Sequence, residues 1–227
     1  MNPPATVAAA ALEMIQDGHV VGLGSGRAAR AFVEALGLRV GQGLRIRGVP
    51  TSRETAELAT RHGIPLATFD EVDLIDVTFD GADEVDPQLD LIKGWGGALV
   101  REKIVAAASK TLVILVGQEK LVPHLGARGK LPVEVVSFGM NVCRRKLAEL
   151  GVTAQPRATD GKLFVTDNGN HVLDCQVSAL PNPREFEILL HSIPGVVGTG
   201  LFLGMADTVL VQQGDQVQEL RRPVTAA

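Results

Sequence analysis

The chain has 227 residues, 45% of them hydrophobic and 21% charged, with a formal net charge of -4. That is globular composition and excludes a disordered chain, and no run approaches the ~20 apolar residues of a membrane-spanning helix. Mild acidity, one Trp, no Tyr and 7 Phe argue against nucleic acid as a partner, whether through the phosphate backbone or through base stacking.

In chain order, residues 6–15 have helical spacing; no basic region precedes the apolar run and Glu13 interrupts it, so it is not expected to be a signal peptide. Residues 19–23 predict a strand that runs into Gly22-Leu23-Gly24-Ser25-Gly26, and 27–36 a helix. Residues 44–49 predict a second strand. Thr51 and Glu54 have capping-box spacing, with Thr51 as N-cap of a helix running to about Arg61. Strands follow at 65–69 and, more strongly, at 72–79, apolar enough for burial on both faces. A helix over 98–109 and a buried strand over 111–116 complete the pattern. Strands alternating with helices imply a mostly parallel sheet, with the Gly22–Gly26 loop and Asp80-Gly81-Ala82-Asp83-Glu84 opening on its ligand-binding edge.

The pattern changes near Pro132. Strands at 132–136, 171–175 and 196–202, with 152–156 and 163–166 as two further strands or pieces of one hairpin and with helices at 141–150 and 183–191, suggest a small ferredoxin-like α+β unit. Short strands at 208–212 and 217–220 return to the first domain. The expected fold class is therefore α/β, a Rossmann-like domain (1–130 and 205–227) with a ferredoxin-like domain (131–204). Cys143 and Cys175 are the only cysteines and form no CxxC, which points to a reducing, cytoplasmic compartment rather than a disulfide scaffold. The five His (19, 62, 124, 171 and 191) lack ligand spacing, so no metal site is expected.

Three segments can carry chemistry. The loop Gly22–Gly26 joins a strand to a helix, where backbone N–H groups bind anions. Its GxGxG spacing departs from the dinucleotide pattern, since Arg occupies position 27 and no acid follows the second strand; taken alone it fits a bare tight turn equally well. The acids Asp80, Asp83 and Glu84 at a strand end can orient hydroxyls, bind a metal or form a solvated turn. Lys93 leads into Gly94-Trp95-Gly96-Gly97, and Glu102 falls in the first turns of the next helix, where an acid also simply favours the helix dipole. A fourth glycine run, 195–204, is apolar and reads as a packed strand.

These residues resemble the type A ribose-5-phosphate isomerases. The resemblance rests on Gly22–Gly26, Pro50-Thr51-Ser52, Asp80-Gly81-Ala82-Asp83-Glu84, Lys93-Gly94-Trp95-Gly96-Gly97-Ala98-Leu99, Arg101-Glu102-Lys103, Leu131-Pro132-Val133-Glu134-Val135, Thr166-Asp167-Asn168-Gly169-Asn170 and Pro194-Gly195-Val196-Val197, in family order along nearly the whole chain. It implies a cofactor-free aldose–ketose isomerase acting on D-ribose 5-phosphate, as a homodimer or homotetramer. Glu102 is then the base, and Asp80, Asp83 and Lys93 line the sugar site. Residues Ser25, Gly26, Arg27 and Ala28, the stretches Gly81-Ala82 and Gly94-Trp95-Gly96, and Lys120 complete the substrate contacts. The helix start and Lys93 favour ionised Glu102 while the two aspartates and desolvation oppose it; the ionised form is expected to be active. A sugar-phosphate isomerase of altered substrate choice and a non-catalytic phosphosugar-binding module are the alternatives.

The chain departs from the family loop Gly-Thr-Gly-Ser-Thr, having Arg27 and Ala28 where two hydroxyls are expected, and no Lys before position 93. Losing those donors weakens phosphate binding by roughly 1–3 kcal/mol unless Arg27 supplies a charge-assisted contact instead.

Overall fold

The structure, a computed structural model, describes residues 6–222. In chain order it runs α1 (Val7–Leu12), β1 (Val20–Leu23), α2 (Arg27–Gly41), β2 (Arg47–Pro50), α3 (Arg53–Arg61), β3 (Val77–Asp80), β4 (Glu84–Val85), β5 (Leu91–Ile92), α4 (Leu99–Ala107) and β6 (Leu112–Gly117). It continues with β7 (Lys130–Val135), α5 (Met140–Glu149), β8 (Ala154–Pro156), β9 (Ala158–Thr159), β10 (Lys162–Leu163) and β11 (His171–Gln176). The last elements are α6 (Pro183–His191), β12 (Val196–Thr199), β13 (Leu201–Phe202), β14 (Thr208–Gln213) and β15 (Gln216–Arg221). These form two compact units: Met1–Ala82 with Arg101–Lys120 and Met205–Ala227, and Asp83–Val100 with Leu121–Gly204. The outermost stretches of the expected first domain, 1–5 and 223–227, lie outside the described residues.

The first unit is a doubly wound sheet of order β15-β14-β6-β3-β1-β2, parallel except for the β14–β15 edge pair. From β1 the chain moves one way to β2 and the other way to β3, so the strand order reverses between β1 and β3; α/β sheets bind ligands above such a point. Strand alternation sorts the core. Val21, Leu23, Val77, Phe79, Val113 and Leu115 face α1, α2 and α3, with the Phe32 and Phe79 rings 4.4 Å apart. Val20, Ile75 and Val105 pack together on the other face. There Gly22 allows α4 to approach: a Cβ on it would lie 2.9 Å from Val105 Cγ1 and 1.8 Å from Thr78 Oγ1.

Several local expectations change. Ser52, not Thr51, caps α3, accepting from the Thr55 N–H at 3.1 Å. Thr51 is fully buried and donates its hydroxyl to Leu23 O at 3.0 Å, so it is spent on β1. The expected strand at 65–69 reduces to a single bridge, Gly48 to Leu66, because Pro65 has no N–H to give a ladder. The long strand expected at 72–79 shortens to β3. Asp76 stands before it, with its carboxylate accepting from Val20 N and Lys110 Nζ, both at 2.8 Å.

In the second unit β7, α5, β8, β11, α6 and β12 follow the βαββαβ order, and their antiparallel sheet runs β12-β7-β11-β8. This is the ferredoxin-like arrangement, with Leu131, Val133, Val135, Leu147, Leu173 and Leu190 in its core. The strand expected at 196–202 is two strands. β12 pairs with β7, and β13 joins β5 and β4 in a separate three-stranded sheet. Gly200 is the crossing point: its N–H donates to Pro132 O at 2.8 Å and its carbonyl accepts from Lys93 N at 2.9 Å. The strand expected at 163–166 shortens to β10, which it overlaps only at Leu163, and the short strands β4, β5 and β9 carry too little periodicity to be predicted from the sequence. No described helix is long and apolar enough to cross a membrane.

Candidate active site

In the first unit the expected residues gather at the C-terminal ends of β1, β3 and β6. Gly24 N donates to Phe79 O at 2.9 Å, binding the glycine loop to β3. Asp80, 1% exposed, accepts the N–H groups of Ser25 at 3.0 Å and Gly81 at 2.7 Å on one carboxylate oxygen, Oδ1. A Cβ at Gly24 would lie 2.3 Å from that same oxygen, so the loop can close over the aspartate only as glycine. Gly26, at φ +90, starts α2 with no side-chain cap, and Arg27 and Ala28 form the first turn.

The Ser25 hydroxyl is drawn into a polar cluster, 2.9 Å from Thr51 Oγ1 and donating to Ser52 Oγ at 3.0 Å, while Thr55 Oγ1 donates to Gly24 O at 3.1 Å. This explains the Pro50-Thr51-Ser52 motif as a brace for the glycine loop. Gly26, Arg27, Arg30, Glu54, Thr55 and Leu58 line a cavity of about 270 Å³ beside it. Arg30 is paired with Glu54. Arg27 is 93% exposed, with Nη2 3.9 Å from Glu119 Oε1. Lys120 follows in the turn Gln118–Lys120 directly after β6.

Glu102 lies in the first turn of α4 and is 5% exposed. The course of α4 fixes where it stands. Ser109, just past the helix, lies 2.6 Å (Oγ to Oγ1) from Thr78, and Ile75 N donates to Ala108 O at 2.9 Å. Val105, one turn earlier, meets Gly22 and packs with Val20 and Ile75. The helix therefore runs antiparallel to β3. Glu102, three residues before Val105 and on the same helix face, is carried about 4.5 Å further toward the C-terminal edge. Asp80, two residues after Thr78, projects from that same face of β3.

In the second unit Asp83, Lys93 and the loop Gly94–Gly97 form a local constellation. Asp83 Oδ2 accepts the Trp95 N–H at 3.0 Å. Lys93 is 2% exposed, with Nζ 5.4 Å from the centre of the Phe202 ring. Gly94 and Gly97 adopt φ of +96 and +91, and a Cβ on Gly97 would meet the Phe164 ring at 2.4 Å. Gly96 is exposed. Trp95 is half-buried, its Nε1 donating to Lys130 O at 3.3 Å and its ring 4.7 Å from Lys130 Nζ.

The third acid of the cluster, Glu84, is fully buried and accepts Gly126 N at 2.6 Å and Arg128 N at 2.7 Å, which pins a loop. Glu134 is fully buried too: its Oε1 accepts from Thr166, Asn168 and Asn170 at 3.0, 3.1 and 2.9 Å, which accounts for the Thr166–Asn170 motif. Among the described residues no group of three or more His, Cys, Asp or Glu is placed to hold a metal ion. Sequence reasoning missed Arg157. It sits between β8 and β9 with no motif around it, yet donates to the carbonyls of Gly94 and Trp95.

A doubly wound unit whose glycine loop closes over a buried aspartate of β3 at the switch point, and a second unit that bears a buried lysine, have the features of a small-molecule α/β enzyme. The profile of the family described as Ribose 5-phosphate isomerase A (phosphoriboisomerase A) matches residues 47–216. The ribose-5-phosphate isomerase A of Bradyrhizobium diazoefficiens is 47% identical over 226 residues, covering 95% of this chain and 93% of its own. That of Gloeobacter violaceus is 49% identical over 216 residues, covering 95% and 94%. The solved ribose 5-phosphate isomerase A of Methanocaldococcus jannaschii superposes with a TM-score of 0.90 at 41% identity, over 95% of this chain and 96% of that one. A D-ribose-5-phosphate isomerase solved in complex with phospho-erythronic acid gives 0.91 at 40% identity, covering 95% and 96%. The chain belongs to the ribose 5-phosphate isomerase A family.

Proposed function

We propose that the protein interconverts D-ribose 5-phosphate and D-ribulose 5-phosphate through an enediolate, with Glu102 as the base. The observation that carries this reading is the antiparallel course of α4, which brings a buried carboxylate to the edge and face of the sheet where Asp80 projects. The reaction takes a proton from C2 of the open-chain aldose, leaves charge on O1, and returns the proton to C1 while the hydroxyl proton of O2 passes to O1. One carboxylate, alternately base and acid, serves both transfers. Asp80 assists ring opening, Asp83, held by the Trp95 N–H, orients hydroxyls, and Lys93 with the N–H groups of Gly94 and Gly96 supports the oxyanion. Ser25, Gly26, Arg27, Ala28 and Lys120 hold the phosphate end, and Gly81 and Ala82 give the sugar room. Arg27, exposed and only loosely paired, supplies the charge that replaces the two missing hydroxyls. A relative's structure with phospho-erythronic acid supports a phosphorylated sugar chain as the ligand.

The reaction needs no cofactor. Two buried free cysteines favour a cytoplasmic setting. Exposed Phe138, Val136 and Val142 on the ferredoxin-like unit favour self-association into a homodimer or homotetramer, to be read by light scattering. The domain reading is a Rossmann-like catalytic domain carrying a ferredoxin-like insertion.

Turnover of ribose 5-phosphate by the purified protein tests the proposal, with arabinose 5-phosphate and glucosamine 6-phosphate assayed beside it. Glu102→Gln should abolish isomerisation while still binding phospho-erythronic acid. Near-normal turnover by that variant overturns the assignment.

A further inference from the structure

Arg157 uses every arm of its guanidinium. Nε and Nη2 donate to the two carboxylate oxygens of Asp174 at 3.1 and 2.5 Å, a bidentate pair across from β11. Nη1 donates to both Gly94 O and Trp95 O at 3.0 Å. The side chain is only 10% exposed, and its guanidinium carbon lies 5.8 Å from the centre of the Phe164 ring, the ring that fills the space under Gly97.

The two carbonyls belong to the peptide units Gly94–Trp95 and Trp95–Gly96, and none of the described peptides is cis. In a trans peptide the N–H points opposite to the C=O. Fixing Gly94 O on Arg157 therefore aims the Trp95 N–H the other way, and that N–H is the one received by Asp83 Oδ2 at 3.0 Å. Fixing Trp95 O likewise turns the Gly96 N–H away from Arg157. A cation on the carbonyl side also polarises the peptide and strengthens its N–H as a donor.

We infer that Arg157 is a positioning residue for the isomerase: from its seat on Asp174 it orients the Gly94–Trp95 peptide, which in turn fixes the carboxylate of Asp83 and the N–H groups of the Lys93 loop. This rests on the reading of Asp83 and that loop as parts of the sugar site. Lysine cannot take the same place, because one ammonium cannot span a carboxylate and two carbonyls in a planar fork.

The test is steady-state kinetics on Arg157→Met, Arg157→Lys, Asp83→Asn and the double variant Arg157→Met/Asp83→Asn, each checked for folding by thermal unfolding. Arg157→Met and Arg157→Lys should both lose about tenfold or more in kcat/KM, mostly in kcat. In the Asp83→Asn background the Met substitution should cost no more than about twofold, since the route through Asp83 is already cut. Turnover of Arg157→Met within about twofold of the parent, or a fully additive loss in the double variant, overturns the inference. Should Arg157→Met fail to fold, Asp174→Asn opens the same link from its other end and is held to the same two outcomes. If Asp83→Asn turns over normally, the site reading itself falls and this inference with it. A crippled Asp83→Asn beside a normal Arg157→Met sinks the inference alone.

Discussion

The backbone N–H of Ser25 donates to Asp80 Oδ1 at 3.0 Å, so one buried aspartate is both a structural acceptor for the glycine loop and a candidate catalytic acid. These two duties separate by substitution. Asp80→Asn keeps an acceptor for the Ser25 and Gly81 N–H groups, and should unfold close to the parent while losing about tenfold or more in turnover. Asp80→Ala leaves both donors without that oxygen and should cost a further ~1–3 kcal/mol in urea unfolding. Equal stability of the two variants would show that the loop does not depend on the carboxylate.

Gly22→Ala probes the seat of α4. The added methyl would meet Thr78 Oγ1 at 1.8 Å and Val105 Cγ1 at 2.9 Å, and neither is the far end of a flexible chain. Overpacking of this kind costs about 1–3 kcal/mol. Because the helix also carries Glu102, turnover should fall at temperatures where the variant is still fully folded. A variant that is destabilised yet normally active would show that the position of α4 is not critical.

Arg27→Ser tests the departure from the family loop. Loss of a charge-assisted contact to phosphate should raise KM for ribose 5-phosphate about tenfold, with kcat less affected. An unchanged KM removes Arg27 from the phosphate site. The double variant Arg27→Ser/Ala28→Thr, which rebuilds the family's hydroxyl pair, should bring KM back down.

Asp76 gives a pH signature outside the site. The hydrogen bond from Lys110 Nζ, followed by that from Val20 N, holds its carboxyl below the usual carboxylate range, against a smaller opposing effect of burial. With the folded pKa depressed, the unfolded chain takes up the proton first as pH falls. The stabilisation is therefore complete above about pH 5 and is lost as pH drops through the folded value. Asp76→Asn should be less stable than the parent at pH 7, and the gap should narrow as the pH falls below the usual carboxylate range and through the depressed folded value. A gap independent of pH would mean that the ionised carboxylate is not the stabilising form.

Both thiols should resist alkylation in the folded protein. Burial pushes Cys175 up to about 12 and raises Cys143 as well, so little thiolate exists near neutrality. Labelling at pH 8 should proceed only as fast as unfolding, and rapid labelling of either cysteine would contradict its buried position.

The doubly wound sheet and the ferredoxin-like unit were legible because alternating burial and the βαββαβ order are written in local periodicity. What escaped depends on partners distant in the chain. Thr51 has the right spacing for a cap, but Leu23 O takes its hydroxyl and Ser52 assumes the role. The run 196–202 looks like one strand, and only the bonds of Gly200 to Pro132 and Lys93 divide it between two sheets. Among the acids of 80–84, spacing could not tell Glu84, which ties down residues 126 and 128, from Asp80 and Asp83. Arg157 carries no motif at all, since its meaning lies in carbonyls more than sixty residues away.

Gly200 gives the smaller unit a significance that its remoteness in sequence hides. Its peptide hands one hydrogen bond to Pro132 in the ferredoxin-like sheet and receives another from Lys93, and a Cβ there would sit 2.4 Å from Lys93 O. The lysine's backbone is thus cast against a strand contributed more than a hundred residues later. The ferredoxin-like unit is consequently not an interchangeable module: a chimaera that exchanges it must transplant Lys93 and Gly200 together, or lose the mould in which the lysine segment is shaped.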